Sequence, residues 1–233
     1  MQNEKEWLLQ EKHNGEVTDA YQKDVTLLEE GVPLAYLIGH IPFLNTTIYL
    51  DSHPLIPRPE TEYWVEKIIE TMPSTTTVLD LCAGSGCIGA AVLHARPDAH
   101  VDFAEIDTLH HETIRKNGGV HIHGGDLFEN ISNTYDYILS NPPYIDPEID
   151  RAEESVKNYE PHQALYGGER GMEILSRIIQ EALAHLNKNG ILVLEHEPEQ
   201  SKEIAHYVKE YGFSCKTEKD QYGVERYSIL ERT

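Results

Sequence analysis

The spacing of apolar positions changes character near residue 75. Before it, Trp7-Leu8-Leu9 and Tyr21 to Leu28 form two short amphipathic patterns ending at Gly31, which predict a small helical segment over residues 1–40. Residues 41–58 carry β-type side chains on both sides of Asn45, the signature of a hairpin. After Pro59, Trp64, Val65, Ile68, Ile69 and Met72 fall on one helical stripe. Beyond residue 75, short apolar runs alternate with helical stripes. The runs are Val78-Leu79-Asp80-Leu81, residues 100–107, 120–123, 135–140, 191–195, 213–217 and 226–230. Helices are expected over 86–95, 109–117, a stripe from Ile174 to Leu186 stopped by Asn189-Gly190, and a segment capped by Ser201 and closed by Gly212. Seven strands alternating with helices predict an α/β fold over residues 59–233, a doubly wound, mostly parallel sheet with ligands at the carboxyl ends of its strands. The last two strands are joined by a short turn near Asp220 and Gly223, so the final one is expected to run antiparallel.

Charge narrows the partners. Lys and Arg number 19 against 40 Asp and Glu, a net of −21. Groove binders neutralise about 6–10 phosphates with clustered basic side chains, and no stretch here clusters them, so direct nucleic-acid binding is not expected. No apolar run reaches the roughly 18 residues of a membrane span, and the polar N-terminus does not read as a secretory signal. Cys82, Cys87 and Cys215 are too few for a disulfide framework, which points to a reduced, cytoplasmic setting. A mean hydropathy of −0.47 is that of an ordinary globular chain.

The first chemical signal is the loop after the first strand of the alternating region. Asp80-Leu81-Cys82-Ala83-Gly84-Ser85-Gly86 passes from strand to helix, and Gly84-x-Gly86-x-x-Gly89 matches the dinucleotide fingerprint. Glycines let backbone approach a ligand, and Glu105, at the end of the next strand, is placed to accept from ribose hydroxyls. The loop alone fits NAD, FAD or S-adenosylmethionine. Asp80 favours the last, because a carboxylate there suits a cationic amino-acid ligand and would repel a pyrophosphate. Asp126-Leu127 follows the third strand, where Asp126 can accept from an adenine amino group and Leu127 can pack on the ring. A turn or helix cap explains Asp126 equally well.

The second signal is Asn141-Pro142-Pro143-Tyr144, after the fourth strand and beside the topological switch. Two prolines fix φ and donate no hydrogen bond, so the Pro142 carbonyl can be held as a rigid acceptor. With the Asn141 side-chain oxygen it offers two acceptors to one planar NH₂ group. Tyr144 can cover that group. Such a nitrogen is a weak nucleophile, and accepting both N–H bonds presents its lone pair to a sulfonium methyl. Rate then comes from orientation and electrostatics.

These residues resemble class I methyltransferases acting on planar NH₂ groups. Three further segments are similar to the protein-glutamine N5-methyltransferases of the HemK/PrmC type, which modify the Gly-Gly-Gln motif of peptide chain release factors. They are residues 33–39 (PLAYLIG), 55–62 (LIPRPETE) and 160–168 (EPHQALYGG). The resemblance implies S-adenosyl-L-methionine as methyl donor, S-adenosyl-L-homocysteine as product and a release factor as protein substrate. It places Cys82, Ala83, Gly84, Ser85, Gly86, Glu105, Leu127 and Asn141 around the cofactor, with Asp126 bordering the adenine and Asp80 added by the charge argument above, and residues 141–144 on the glutamine. It also implies that residues 58–61 lie near the cofactor entrance. The chain departs from the family pattern in four places. Cys82 replaces a loop glycine, Glu105 replaces an Asp, His196-Glu197 replaces Ile-Gly after Glu195, and the N-terminal helical segment is short.

Other readings of the same motifs are adenine-N6 or cytosine-N4 methylation of nucleic acid, an NAD-dependent oxidoreductase, and a degenerate binding subunit. The first needs base flipping against a charge of −21; the second leaves residues 141–144 unexplained. His110-His111 and His121-x-His123 read as solvated or core histidines, and no metal site is expected. Cys82 and Cys87 read as small core residues. Glu195, Glu197 and Glu199 read as a solvated strand end.

Overall fold

A computed structural model gives the fold, described for residues 2–232. Helices α1 (Gln2–Glu11), α2 (Asp19–Glu29) and α3 (Leu34–Ile38) enclose a small core of Leu8, Tyr21, Leu28 and Leu37. Thr18 caps α2 by accepting from the Tyr21 amide, and Gly39 ends α3 in the left-handed region at φ 91°. Strands β1 (His40–Phe43) and β2 (Thr46–Tyr49) then form an antiparallel hairpin turning at Leu44-Asn45. Pro59 opens α4 (Pro59–Thr71), which buries Trp64, Val65, Ile68 and Ile69.

The main sheet has seven strands: β3 (Thr77–Leu81), β4 (His100–Glu105), β5 (His121–Gly124), β6 (Tyr135–Ser140), β7 (Leu186–Glu195), β8 (Phe213–Lys219) and β9 (Glu225–Arg232). Their order is β5-β4-β3-β6-β7-β9-β8, parallel except for β9, which is antiparallel to both neighbours. Helices α5 (Cys87–Ala95) and α6 (His111–Lys116) follow β3 and β4. Helices α7 (Glu154–Tyr159) and α8 (Met172–Ala182) lie between β6 and β7, and α9 (Ser201–Tyr207) precedes β8. Strand alternation gives the sheet two cores. Trp64, Val92, Phe103, Leu139 and Val193 fill one face; Leu79, Leu81, Ile138, Leu175, Ile179 and Leu192 fill the other. The chain steps from β3 outward to β5, then returns to β6 on the other side of β3. That reversal leaves a crevice at the carboxyl ends of β3 and β6, where residues 82–86 and 141–144 begin.

Two expected boundaries are corrected. The helix predicted to run to Asn189-Gly190 stops at Ala182, and Leu186 is a strand residue. Leu186 pairs with Tyr135, the register then slips, and Ile191 pairs with Tyr137. Asn189 sits in the bulge at φ 65°, and a Cβ at Gly190 would lie 3.0 Å from the Tyr135 carbonyl oxygen. Nor is Ser201 the cap of α9. A 3₁₀ turn over Pro198–Gln200 precedes it, and Glu197 and Gln200 form a capping box. The Ser201 hydroxyl instead lies 2.5 Å from both the Pro198 carbonyl and the Glu225 carboxylate.

Candidate active site

The glycine loop is built from left-handed backbone. Cys82 has φ 60°, Gly84 φ 55° and Gly86 φ 77°. The Ala83 amide donates to the Ala104 carbonyl at 3.0 Å, tying the loop to β4. Glu105 completes that tie: Oε2 accepts from the Gly84 amide at 2.7 Å and Oε1 from the Asp107 amide at 2.8 Å. Each oxygen keeps a second lone-pair direction. Asn117 donates to the Ser85 carbonyl at 2.9 Å and to the Tyr49 carbonyl at 3.0 Å, so the hairpin and the loop share one clamp. Burial drives the Cys82 thiol pKa far above its ordinary value, with the Glu105 charge adding to it, so the thiol is not an ionised nucleophile.

A cavity of 250 Å³ opens over this loop. Cys82, Ala83, Gly84, Ser85, Glu105, Ile106, Asp126, Leu127 and Asn141 line it. Thr61, Pro161, Gln163 and Tyr166 also line it. A second cavity of 410 Å³ shares Leu55, Asn141 and Ala164 with the first. Arg58, Pro142, Tyr144 and Arg151 are among its other lining residues. Asn141 therefore stands in the wall between the two spaces.

Residues 141–144 are held by close backbone approach. Ile145 donates to the Leu165 carbonyl at 2.9 Å and accepts from the Gly167 amide at 3.0 Å. A Cβ at Gly167 would lie 2.6 Å from the Pro143 carbonyl, and one at Gly171 (φ 67°) would overlap the Tyr144 carbonyl. Gln200 donates to the Tyr144 carbonyl at 2.7 Å. Among the described residues, no donor engages the Pro142 carbonyl.

The three segments that carried the family resemblance converge here. The Tyr36 hydroxyl donates to the Pro54 carbonyl at 2.7 Å. Glu160, buried, accepts from the Ile56 amide at 2.9 Å and from Arg58 at 2.7 Å. Residues 33–39, 55–62 and 160–168 are thus one scaffold on one side of the cavities.

Two expected placements change. Asp80, expected at the ligand, lies behind the loop: it is fully buried and does not line the cavity. Its Oδ2 accepts from the Gly89 amide at 2.8 Å, an amide at the start of α5 that needs an acceptor, while Oδ1 has no partner. Burial, assisted by the Glu105 charge, pushes its pKa up to about 8. Gly86 is likewise structural, caps α5, and packs on Phe103. Asp126 lines the cavity and is also ion-paired with Arg177 of α8 at 2.8 Å. Leu127 lines the cavity at φ 51°.

Glu195 overturns its reading as a solvated strand end. It is 1 % exposed and accepts three hydrogen bonds: from Thr61 Oγ1 at 2.7 Å, Trp64 Nε1 at 2.7 Å and the Tyr144 hydroxyl at 2.9 Å. Asn141 Nδ2 donates in turn to Thr61 Oγ1 at 3.1 Å. Burial raises the Glu195 pKa against these donors, and burial beside Glu195 raises that of Tyr144 well above its usual value. The parallel register of Ser140 with Leu194 accounts for the meeting, since the residues that follow, Asn141 and Glu195, emerge side by side. Thr61, which the resemblance puts near the cofactor entrance, lines the first cavity; Trp64 was read only as part of the apolar stripe, and its i, i+3 spacing from Thr61 on one face of α4 was the available signal of a shared role.

Of the histidines, His110 lines the first cavity and bonds Ser52 at 2.8 Å, while His100 and His123 approach the buried Asp102 on the β4–β5 side of the sheet. Among the described residues, no group of three His, Cys, Asp or Glu is arranged to hold a metal ion, and no helix is long and apolar enough to cross a membrane.

Comparison with known proteins bears on the family and the fold. Residues 62–157 match the family model described as the methyltransferase small domain. Release factor glutamine methyltransferase of Leptospira interrogans is 36% identical, over 92% of this chain and 80% of that protein. Its counterpart in Streptococcus pneumoniae is 35% identical, over 92% and 79%. Among solved structures, a methyltransferase from Pyrococcus furiosus superposes with a TM-score of 0.62 at 20% identity, covering 92% of this chain and 98% of that one; it shares the fold.

Proposed function

The chain belongs to the release factor glutamine methyltransferase family, and we propose that it transfers a methyl group from S-adenosyl-L-methionine to a glutamine side-chain nitrogen, in the Gly-Gly-Gln motif of a peptide chain release factor. One observation carries the reading. Asn141 stands in the wall shared by two cavities, one over the glycine loop and one beside Arg58 and Arg151. The first suits the methyl donor and the second the peptide.

The residues present fit the donor. A Cβ at Gly84 would meet nothing within 4 Å and would stand in the cavity, the close approach an adenosyl group needs. Glu105 has lone pairs left for two ribose hydroxyls; with the donor bound, Asp126 would border the adenine and Leu127 and Ile106 would offer apolar surface to its ring. Carboxylates at this end of the sheet complement a cationic ligand. Asp80 acts from behind, holding the Gly89 amide and so the shape of residues 82–86.

S-adenosylmethionine supplies an electrophilic methyl on a sulfonium centre, a reaction that needs no strong general base. The chain's part is to grip the amide. The Asn141 side-chain oxygen and the Pro142 carbonyl accept the two N–H bonds, turning the nitrogen lone pair toward the first cavity. Pro142 and Pro143 keep that acceptor rigid, and Tyr144 packs over the planar group. The surplus proton leaves to water once the N–C bond has formed.

The test offers labelled methyl donor to release factor, DNA and tRNA in parallel, with mass mapping of the product. Label is expected on the Gly-Gly-Gln glutamine alone. Asn141→Ala should lower turnover on the order of 100-fold or more, the scale seen when one positioned polar group is lost, with donor affinity kept. Label on nucleic acid instead, or an unchanged Asn141→Ala rate, rejects the proposal.

A further inference from the structure

An asparagine amide is useful as a clamp only if its oxygen, and not its NH₂, faces the substrate. The two ends are nearly the same shape, so something must choose between them. Asn141 meets Thr61 Oγ1 at 3.1 Å, and Thr61 Oγ1 meets Glu195 Oε2 at 2.7 Å. A hydroxyl has one proton. If Thr61 gives it to Glu195, only its lone pairs remain for Asn141, and the group facing it must be the NH₂. The Asn141 oxygen then points away from Thr61, toward the cavities. With the amide reversed, two oxygens would face one another at 3.1 Å with no proton between them.

The polarity therefore depends on Glu195 Oε2 staying an acceptor. Trp64 secures this: its indole N–H can only donate, and it donates to that same oxygen at 2.7 Å. A proton entering the carboxyl goes to Oε1, which faces the Tyr144 hydroxyl at 2.9 Å, because Oε2 already serves two donors. Trp64 and Glu195 are each at most 1 % exposed, and neither lines either cavity.

We infer that Glu195 and Trp64, through Thr61, are positioning residues that set the direction of the Asn141 amide and so supply the acceptor that grips the substrate nitrogen. This rests on the methyl-transfer reading for its kinetic consequence but not for its structural one. It also accounts for the Thr within Pro-Arg-Pro-Glu-Thr-Glu, which the glycine loop and residues 141–144 leave without a role.

The experiment uses the full chain with Thr61→Val, Thr61→Ser and Glu195→Leu. Valine removes the hydroxyl at nearly constant shape; serine restores it. Leucine removes the acceptor, so the Thr61 hydroxyl is free to donate to Asn141 and the amide loses its fixed direction. Expected are a fall in kcat of at least 30-fold for Thr61→Val and for Glu195→Leu, S-adenosylhomocysteine affinity within threefold by calorimetry, and a Thr61→Ser rate within threefold of the parent. A second readout needs no substrate. In chain labelled with ¹⁵N-asparagine, the Asn141 side-chain NH₂ signal, assigned by its loss in Asn141→Asp, should exchange with solvent at least tenfold faster in Thr61→Val. Should Glu195→Leu fail to fold, the two Thr61 variants decide. Unchanged kcat in Thr61→Val, or unchanged exchange, overturns the inference. If the parent methylates nothing, the functional reading fails, and the exchange measurement alone decides the polarity.

Discussion

Cys82 occupies backbone that an L-residue adopts at a cost. At φ 60° its Cβ crowds the following carbonyl, a strain of about 1–2 kcal/mol. Glycine would escape that strain but lose roughly 0.5–1 kcal/mol to its greater freedom when unfolded. The two nearly offset, so a cysteine can stand at a loop position where the family resemblance implies glycine. A β-branched residue of similar size has no such balance, because its second γ-carbon meets the loop in the left-handed region. Cys82→Gly is therefore expected to change unfolding free energy by less than about 1 kcal/mol, while Cys82→Val costs about 2 kcal/mol or more. Denaturant titration of both variants checks this; equal destabilisation would mean that packing, not backbone, decides the position. Here the sequence was informative, since a glycine fingerprint interrupted at one place marks the conformation as well as the motif. Glu195 was not legible in the same way. Its partners lie 134 and 131 residues away for Thr61 and Trp64, and an isolated carboxylate at a strand end has no pattern that distinguishes burial from solvation.

At the scale of elements, a buried carboxylate joins two loops distant in the chain. Glu160 accepts from the Ile56 amide and from Arg58, with its side chain 1 % exposed against 30 % for that of Arg58. Removing either partner is not symmetrical. Arg58→Ala leaves Glu160 bonded to the Ile56 amide, and the arginine lies partly in water already, so a loss of about 1 kcal/mol is expected. Glu160→Ala strands a buried backbone N–H and unpairs the guanidinium, with an expected loss of about 2–3 kcal/mol. Unfolding free energies of the two single variants measure the asymmetry. Elements whose burial follows one period were read correctly from sequence: the α4 stripe, the α8 stripe through Ala182, and the alternation of Leu79 and Leu81 with Val78 and Asp80. Leu186 was misplaced because an apolar residue four positions past Ala182 fits either a continuing helix or an opening strand. The bulge at Asn189-Gly190, set by pairing with Tyr135, settles it. Loop-to-loop ties such as Glu160 to Ile56 obey no period, and only the family resemblance hinted that their segments belong together.

Across the whole molecule, buried titratable groups pull stability in opposite directions with pH. Asp80 has its pKa raised by burial to about 8 from 3.8. Between those values the folded chain holds a proton that the unfolded chain has lost, so stability falls as pH rises through this range, by up to about 1.4 kcal/mol per pH unit. Glu195, also raised by burial, acts with the same sign. His196 is the counterweight. Burial lowers its pKa from 6.5 to about 4, aided by the Arg226 charge, while its two ring nitrogens meet the Glu197 carbonyl and the Ser228 hydroxyl at 2.9 and 2.8 Å. Below pH 6.5 the unfolded chain takes up a proton there that the folded chain refuses, so this contribution is lost as pH falls toward 4. Above pH 6.5 Asp80 acts without that counterweight. The free protein is therefore expected to gain stability as pH drops from 8 to 6.5 and to level off below, where His196 opposes Asp80 and Glu195. Asp80→Asn keeps an acceptor for the Gly89 amide but cannot ionise. Its stability should vary less across the upper window and fall more steeply below 6.5, since His196 then acts against Glu195 alone. Denaturant midpoints measured at both ends of each window for parent and variant decide it; parallel pH curves would mean that Asp80 is ionised in the folded chain despite its burial.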